Sequence, residues 1–168
     1  MNKKLLFGLS LVAVFVLCTT NTYASSDEEE TGEQHRSEVA KVVQKLEKIA
    51  NEDDYIEIEV EDVAQEEKSS SEKVKEKMDA VDKRGGFKTF LIGSDYKKIE
   101  ELKSELDATD TDLNKLNKAL EKSKDNSIKA DLKVQINELT TIKFKANDFV
   151  KNMEEKFSLF GWLVRMFQ

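Results

Sequence analysis

Few residues of this 168-residue chain belong to the types that carry chemistry. It has one histidine, His35, and one cysteine, Cys18. A single imidazole cannot build a His-based metal cluster, and a Ser-His-Asp arrangement is implausible around one that sits in a run of acids. No glycine loop of the phosphate-binding kind occurs, nor a nucleophile elbow. Carboxylates are plentiful, but Glu57, Glu59, Glu61, Glu100 and Glu101 alternate or cluster as solvated faces do. The acids near residue 30 lack the spacing of an EF-hand loop. The expectation is therefore a non-enzymatic protein with no cofactor and no metal.

Two groups remain that could make contacts rather than bonds. The segment 157–168 holds Phe157, Leu159, Phe160, Trp162, Leu163, Val164, Met166 and Phe167 with Arg165 as its only charge. Phe157, Phe160, Trp162, Leu163 and Phe167 are the candidate partner-binding residues. The tail is too short to span a bilayer. Three roles compete for it: folding back to complete a helical core, docking on a protein or on a second copy of the chain, or lying in a membrane interface. The second group is Cys18 alone, a candidate for lipidation.

Cys18 belongs to a pattern with its own meaning. Met1-Asn2-Lys3-Lys4 is basic, Leu5 to Cys18 is apolar except for Gly8 and Ser10, and Thr19 to Ala24 is small and polar. That order is the secretory one. Thr22-Tyr23-Ala24 puts small residues where signal peptidase I needs them, so residues 1–24 read as a signal peptide. The alternative is a lipoprotein anchored at Cys18, but Leu17 stands where a lipobox needs a small residue. Cleavage after Ala24 leaves no cysteine for disulfide or thiol chemistry.

Composition bounds the fold. Charged residues make up 36% of the chain, and there is no proline and only six glycines. Such a chain favours long helices, since proline is the strongest helix breaker. The net charge is −7, and removing Lys3 and Lys4 with the signal peptide takes it to −9. A field of that sign repels nucleic acid.

The elements follow from hydrophobic spacing. Residues 25–36 contain no large apolar side chain and read as a disordered acidic leader. One helical domain covers 37–168. Ser37 caps a helix whose Val39, Val42, Val43, Leu46, Ile49 and Ala50 share a face. Residues 53–67 fit a strand or a helix; Ile56, Val60 and Val63 favour an irregular or helical stretch. Ser69 with Glu72 has capping-box spacing and starts another helix, which Gly85 and Gly86 end. Phe87 to Ile92 form an apolar connector. Ile99, Leu102, Leu106, Leu113, Leu116 and Leu120 keep a three–four rhythm, with Thr109 in a core position, and the weak helix formers of Asp107–Asp112 allow a kink or break there. Ile128, Leu132, Ile136, Leu139, Lys143, Ala146, Val150 and Met153 trace a last helix. The fold class is all-α, a helical bundle built on a long antiparallel hairpin of about 95–124 and 127–157. Its narrow apolar stripes must bury against one another, and they serve a homodimer as well as a single chain.

The leader Met1-Asn2-Lys3-Lys4 with its apolar core resembles those of Borrelia plasmid-encoded exported proteins. So does the Lys/Glu/Asp/Asn-rich body, with Leu113-Asn-Lys-Leu-Asn-Lys-Ala-Leu-Glu-Lys122. In size and leader ending the chain is most similar to the BapA/EppA exported group, with outer-surface E/F-related lipoproteins second. The resemblance implies an exported, antigenic protein of the periplasm, the cell surface or the medium, with no enzymatic residues. The signal peptide, the helical stripes, the apolar tail and the absent chemistry together lead to the expectation of a protein that acts through protein–protein contacts, with host molecules among the candidates. The alternative is an envelope-associated structural protein held at a membrane by its C-terminal tail.

Overall fold

The computed structural model describes the backbone of residues 30–82 and 94–166, and the side chains of 31–81 and 97–155. Four helices make up the described residues: α1 (Glu30–Ala50), α2 (Glu57–Asp82), α3 (Ser94–Lys122) and α4 (Asn126–Met166). The all-α bundle expected from the spacing is the observed class. Residues 1–24, with Cys18, lie outside the described residues, as do Gly85, Gly86 and the 87–92 connector.

Ion pairs between the helices give their directions. Glu33 and Arg36 on α1 meet Lys75 and Glu72 on α2. Down α2, Lys77, Glu66 and Glu59 meet Glu105, Lys115 and Lys122 of α3. Lys103 and Asp110 of α3 meet Glu154 and Lys143 of α4. Glu38 of α1 meets Lys145 of α4 at 2.9 Å. Partner numbers fall as the chain rises at the α1–α2, α2–α3 and α3–α4 seams, so consecutive helices are antiparallel and α4 runs opposite to α1 in an up-down-up-down bundle. The α3–α4 pair is only one of its seams, and the α1–α2 pair makes the larger contact.

Two apolar clusters fill the interior. The larger joins Val39, Val42, Val43, Leu46, Ile49 and Ala50 of α1, Ile56 just before α2, Val60, Val63 and Ala64 of α2, Leu116 and Ala119 of α3, and Ile128, Leu132, Leu139 and Ile142 of α4. The smaller holds Val74, Met78 and Val81, Ile99, Leu102 and Leu106, and Ala146 and Val150, with Phe149 and Met153 against it. Each large side chain removed from water contributes about 1.5–3 kcal/mol. Between the clusters lies a layer of buried polar side chains: Glu67, Ser71, Thr109 and Asp112.

Several boundaries differ from the sequence expectation. The leader does not stay disordered through Arg36, because α1 begins at Glu30. Its first turns have no large apolar residue, and they are held by Gly32 lying against α2 and by the charge pairs of Glu33 and Arg36. A Cβ on Gly32 would come within 2.9 Å of the Lys75 carbonyl oxygen. Ser69 starts no helix. α2 runs through the three serines, with the Ser71 hydroxyl donating to the Lys68 carbonyl at 3.0 Å and Ser70 donating to Glu105. The stretch 53–67 is helical from Glu57. No break occurs at Asp107–Asp112, because Thr109 and Asp112 face α2 and Asp110 pairs with Lys143. The final helix runs to Met166, 41 residues against 29 in α3.

Two turns meet at one end of the bundle. The buried Asp53 accepts from the Tyr55 amide at 3.0 Å and from the Ser123 hydroxyl at 2.7 Å. This ties the α1–α2 turn to the α3–α4 turn. Lys124 sits 4.4 Å above the Tyr55 ring. Asp125 caps α4, accepting from the amides of Ser127 and Ile128.

Candidate functional site

The residues expected to bind a partner are not gathered into a site. Phe157, Phe160, Trp162 and Leu163 belong to the last turns of α4, whose helix continues without a turn back onto the bundle. Their side chains, and Phe167 altogether, lie outside the described residues. Among the described residues no helix is long and apolar enough to cross a membrane, and no group of three or more His, Cys, Asp or Glu could hold a metal ion.

A different feature emerges from the ion-pair pattern. Three seams carry at least two cross-helix charge pairs each. Among the described residues the α1–α4 seam carries one cross-helix charge pair, Glu38–Lys145. Beyond that pair toward the turns it opens into two adjoining recesses of about 350 and 550 Å³ that share Lys41 and Glu138. α1 supplies Lys41, Gln44, Lys45 and Lys48; α4 supplies Asp131, Val134, Gln135 and Glu138. Lys41 and Lys45 form no ion pair among the described residues, and neither do Asp131 and Glu138. Lys48 reaches only Glu52, at 3.5 Å.

The α1 wall is thus mainly basic, with Glu52 at its end beside Lys48, the α4 wall is acidic, and no ion pair joins the two along the wider recess among the described residues. Apolar side chains lie along its depth. Val42, Ile49 and Ile142 are at most 6% exposed and Val134 is 49% exposed. Gln135 lines the wider recess; its carboxamide is buried and its Oε1 accepts no hydrogen bond from the protein. Such a groove can hold a polypeptide segment. Nothing lining it is arranged for bond-making chemistry.

A second polar cluster lies inside the bundle. Glu67 and Asp112 are both 3% exposed and face each other across α2 and α3. Burial pushes Glu67 up from the ordinary carboxyl range. Burial, then the hydrogen bond with Glu66 and the Glu67 charge, raise Asp112 to about 8. Asp112 thus keeps its proton at neutral pH and donates it to a neighbouring carboxylate, with Lys115 balancing Glu66. His35 is pushed the other way, to about 4, chiefly by burial, and stays neutral. Neither acid lines the recesses above, so the layer reads as structural.

Sequence reasoning did not find the seam. Lys41, Lys45 and Lys48 look like any outer face of an amphipathic helix. Their lack of partners depends on the register of α4 some 90 residues on.

Comparison with protein-family models, curated proteins and solved structures finds no match.

Proposed function

We propose that this protein is an exported, non-enzymatic helical protein that works through protein–protein contact, and that the open α1–α4 seam is its contact surface. The observation that carries the reading is the unpaired charge on both walls of that seam, in a bundle whose other seams are closed by ion pairs. Unpaired cations facing unpaired acids over an apolar floor suit a polypeptide partner better than a lipid or a nucleic acid. Export rests on the basic, apolar and small-residue order of residues 1–24. The resemblance to Borrelia exported proteins makes host molecules candidate partners and antigenicity an expected property.

The test is affinity capture with the purified protein from its own export compartment and from host fluid. It compares the unaltered chain with Lys45→Glu and Glu138→Lys. A specific partner retained by the unaltered chain and lost by both variants supports the reading. Retention by all three rejects the seam, and the absence of any specific partner rejects the function.

A second reading is favoured by one observation. The apolar-rich residues 157–166 continue α4 as helix, which would suit an envelope-associated protein held at a membrane by its tail; a surface lipoprotein anchored at Cys18 rests on the leader sequence alone. Flotation with lipid vesicles separates these, since stable co-flotation of the unlipidated chain supports the tail and its absence removes it. The intact mass of the native protein reports the Cys18 anchor directly.

A further inference from the structure

The seam also constrains what kind of polypeptide fits it. We infer that it seats one amphipathic helix of a partner protein, docked as a fifth helix, with carboxylates along one edge, Lys or Arg along the other, and small aliphatic residues between. The inference rests on the seam being the contact surface.

The charge pattern is the first argument. Lys41, Lys45 and Lys48 recur at four- and three-residue spacing along α1. A helix lying beside α1 meets them with acids at the same i, i+4, i+7 rhythm. Asp131 and Glu138 stand seven residues apart on α4, two helical turns, and ask for basic residues at that repeat. An extended strand has a period of two and would meet this rhythm only by accident. No sheet edge exists among the described residues for a strand to join.

Shape is the second argument. The α1 wall runs from Lys41 to the helix end at Ala50, with Glu52 just beyond it, and ten residues of helix rise about 15 Å. A partner of about three turns fills that length. The Glu38–Lys145 pair marks the closed end. The half-exposed Val134 offers an apolar contact for the middle of the incoming helix. A second copy of the chain is the weaker occupant, because two recessed seams set face to face leave both unfilled.

The experiment uses the full chain and three labelled synthetic helices of about 16 residues sharing an Ala/Leu seam, read by fluorescence anisotropy. One carries Glu on one edge and Lys on the other, one carries Glu on both edges, and one carries Lys on both. The mixed-edge helix is expected to bind tightest. Lys45→Glu and Glu138→Lys, exposed and unpaired positions whose reversal leaves the helical circular dichroism intact, should each weaken it by about fivefold. Reversing both walls together (Lys41→Glu and Lys45→Glu with Asp131→Lys and Glu138→Lys) should restore it, because the same helix then fits in the opposite direction.

Equal binding of the three helices, or no binding by any, overturns the inference. Failure of the double-wall reversal to restore affinity overturns it too, as does a dimer in sedimentation equilibrium that Lys45→Glu dissociates. If the helices fail while affinity capture still responds to Lys45→Glu and Glu138→Lys, the contact surface stands and its helical occupant falls. If capture is indifferent to both variants, the functional reading itself falls.

Discussion

At the scale of single residues, the buried acids and one glycine set the stability of the fold. Asp112 and Glu67 hold protons more tightly folded than unfolded, so folding binds protons and the stability they confer is lost as pH rises. For Asp112 the loss runs from about pH 4, its unfolded value, up to about 8. Glu66, Glu59 and Glu38 are held below the ordinary carboxyl range and lose their contribution as pH falls under it. His35 acts in the middle: its neutral buried form adds stability as pH climbs from about 4 through 6.5. Asp112→Asn keeps a donor toward Glu66 without the titration. Its stability relative to the unaltered protein should rise between pH 5 and pH 8 and level off above that, by up to about 4 kcal/mol in denaturant titrations. Parallel stability–pH curves for the two proteins would refute the shared proton. Gly32→Ala sets helix propensity against sterics. Alanine gains about 1 kcal/mol in a helix interior, yet its methyl would meet the Lys75 carbonyl. The expected outcome is net destabilisation, read as a lower melting temperature and earlier amide exchange in residues 30–38. None of this was visible in the sequence, where Gly32 and His35 sat in a stretch without large apolar residues.

At the scale of elements, legibility tracked the apolar stripes. The faces Val39–Ala50, Ile99–Leu106 and Leu116, and Leu132–Val150 were readable because helical spacing forces them to one side. Boundaries were misread wherever polar residues of weak helix propensity gathered. Ser69–Ser71 and Thr109–Asp112 look like caps or breaks locally, but partners on the facing helix satisfy them, a tertiary effect that spacing along one helix cannot show. Ser123 illustrates the same dependence, since its hydroxyl ties two turns through Asp53. Ser123→Ala leaves a buried carboxylate oxygen short of a donor and should cost about 1–3 kcal/mol in denaturant unfolding. An unchanged midpoint would remove this clamp from the account. The tail is an extension of α4 rather than a returning segment, and every described core residue of α4 lies at or before Met153. Deleting 157–168 should therefore leave the melting temperature within a few degrees. A drop corresponding to several buried aromatics, each about 1.5–3 kcal/mol, would return the tail to the core.

At the scale of the whole molecule, the four helices form a ring of antiparallel neighbours with one seam incompletely closed, and that asymmetry is the basis of the functional reading. Lysine labelling in place tests it most directly. The native cell, in contact with its surroundings, and the purified protein are each treated with an amine-reactive reagent, and modified sites are read by peptide mass spectrometry. Lys133 and Lys151 are exposed on α4, away from the recesses, and serve as internal references. The account predicts that Lys41 and Lys45 react as readily as the references in the purified protein and are shielded in place, while the references react equally in both. Equal reactivity of Lys41 and Lys45 in both settings would mean that the seam stands empty where the protein works, and would contradict the account.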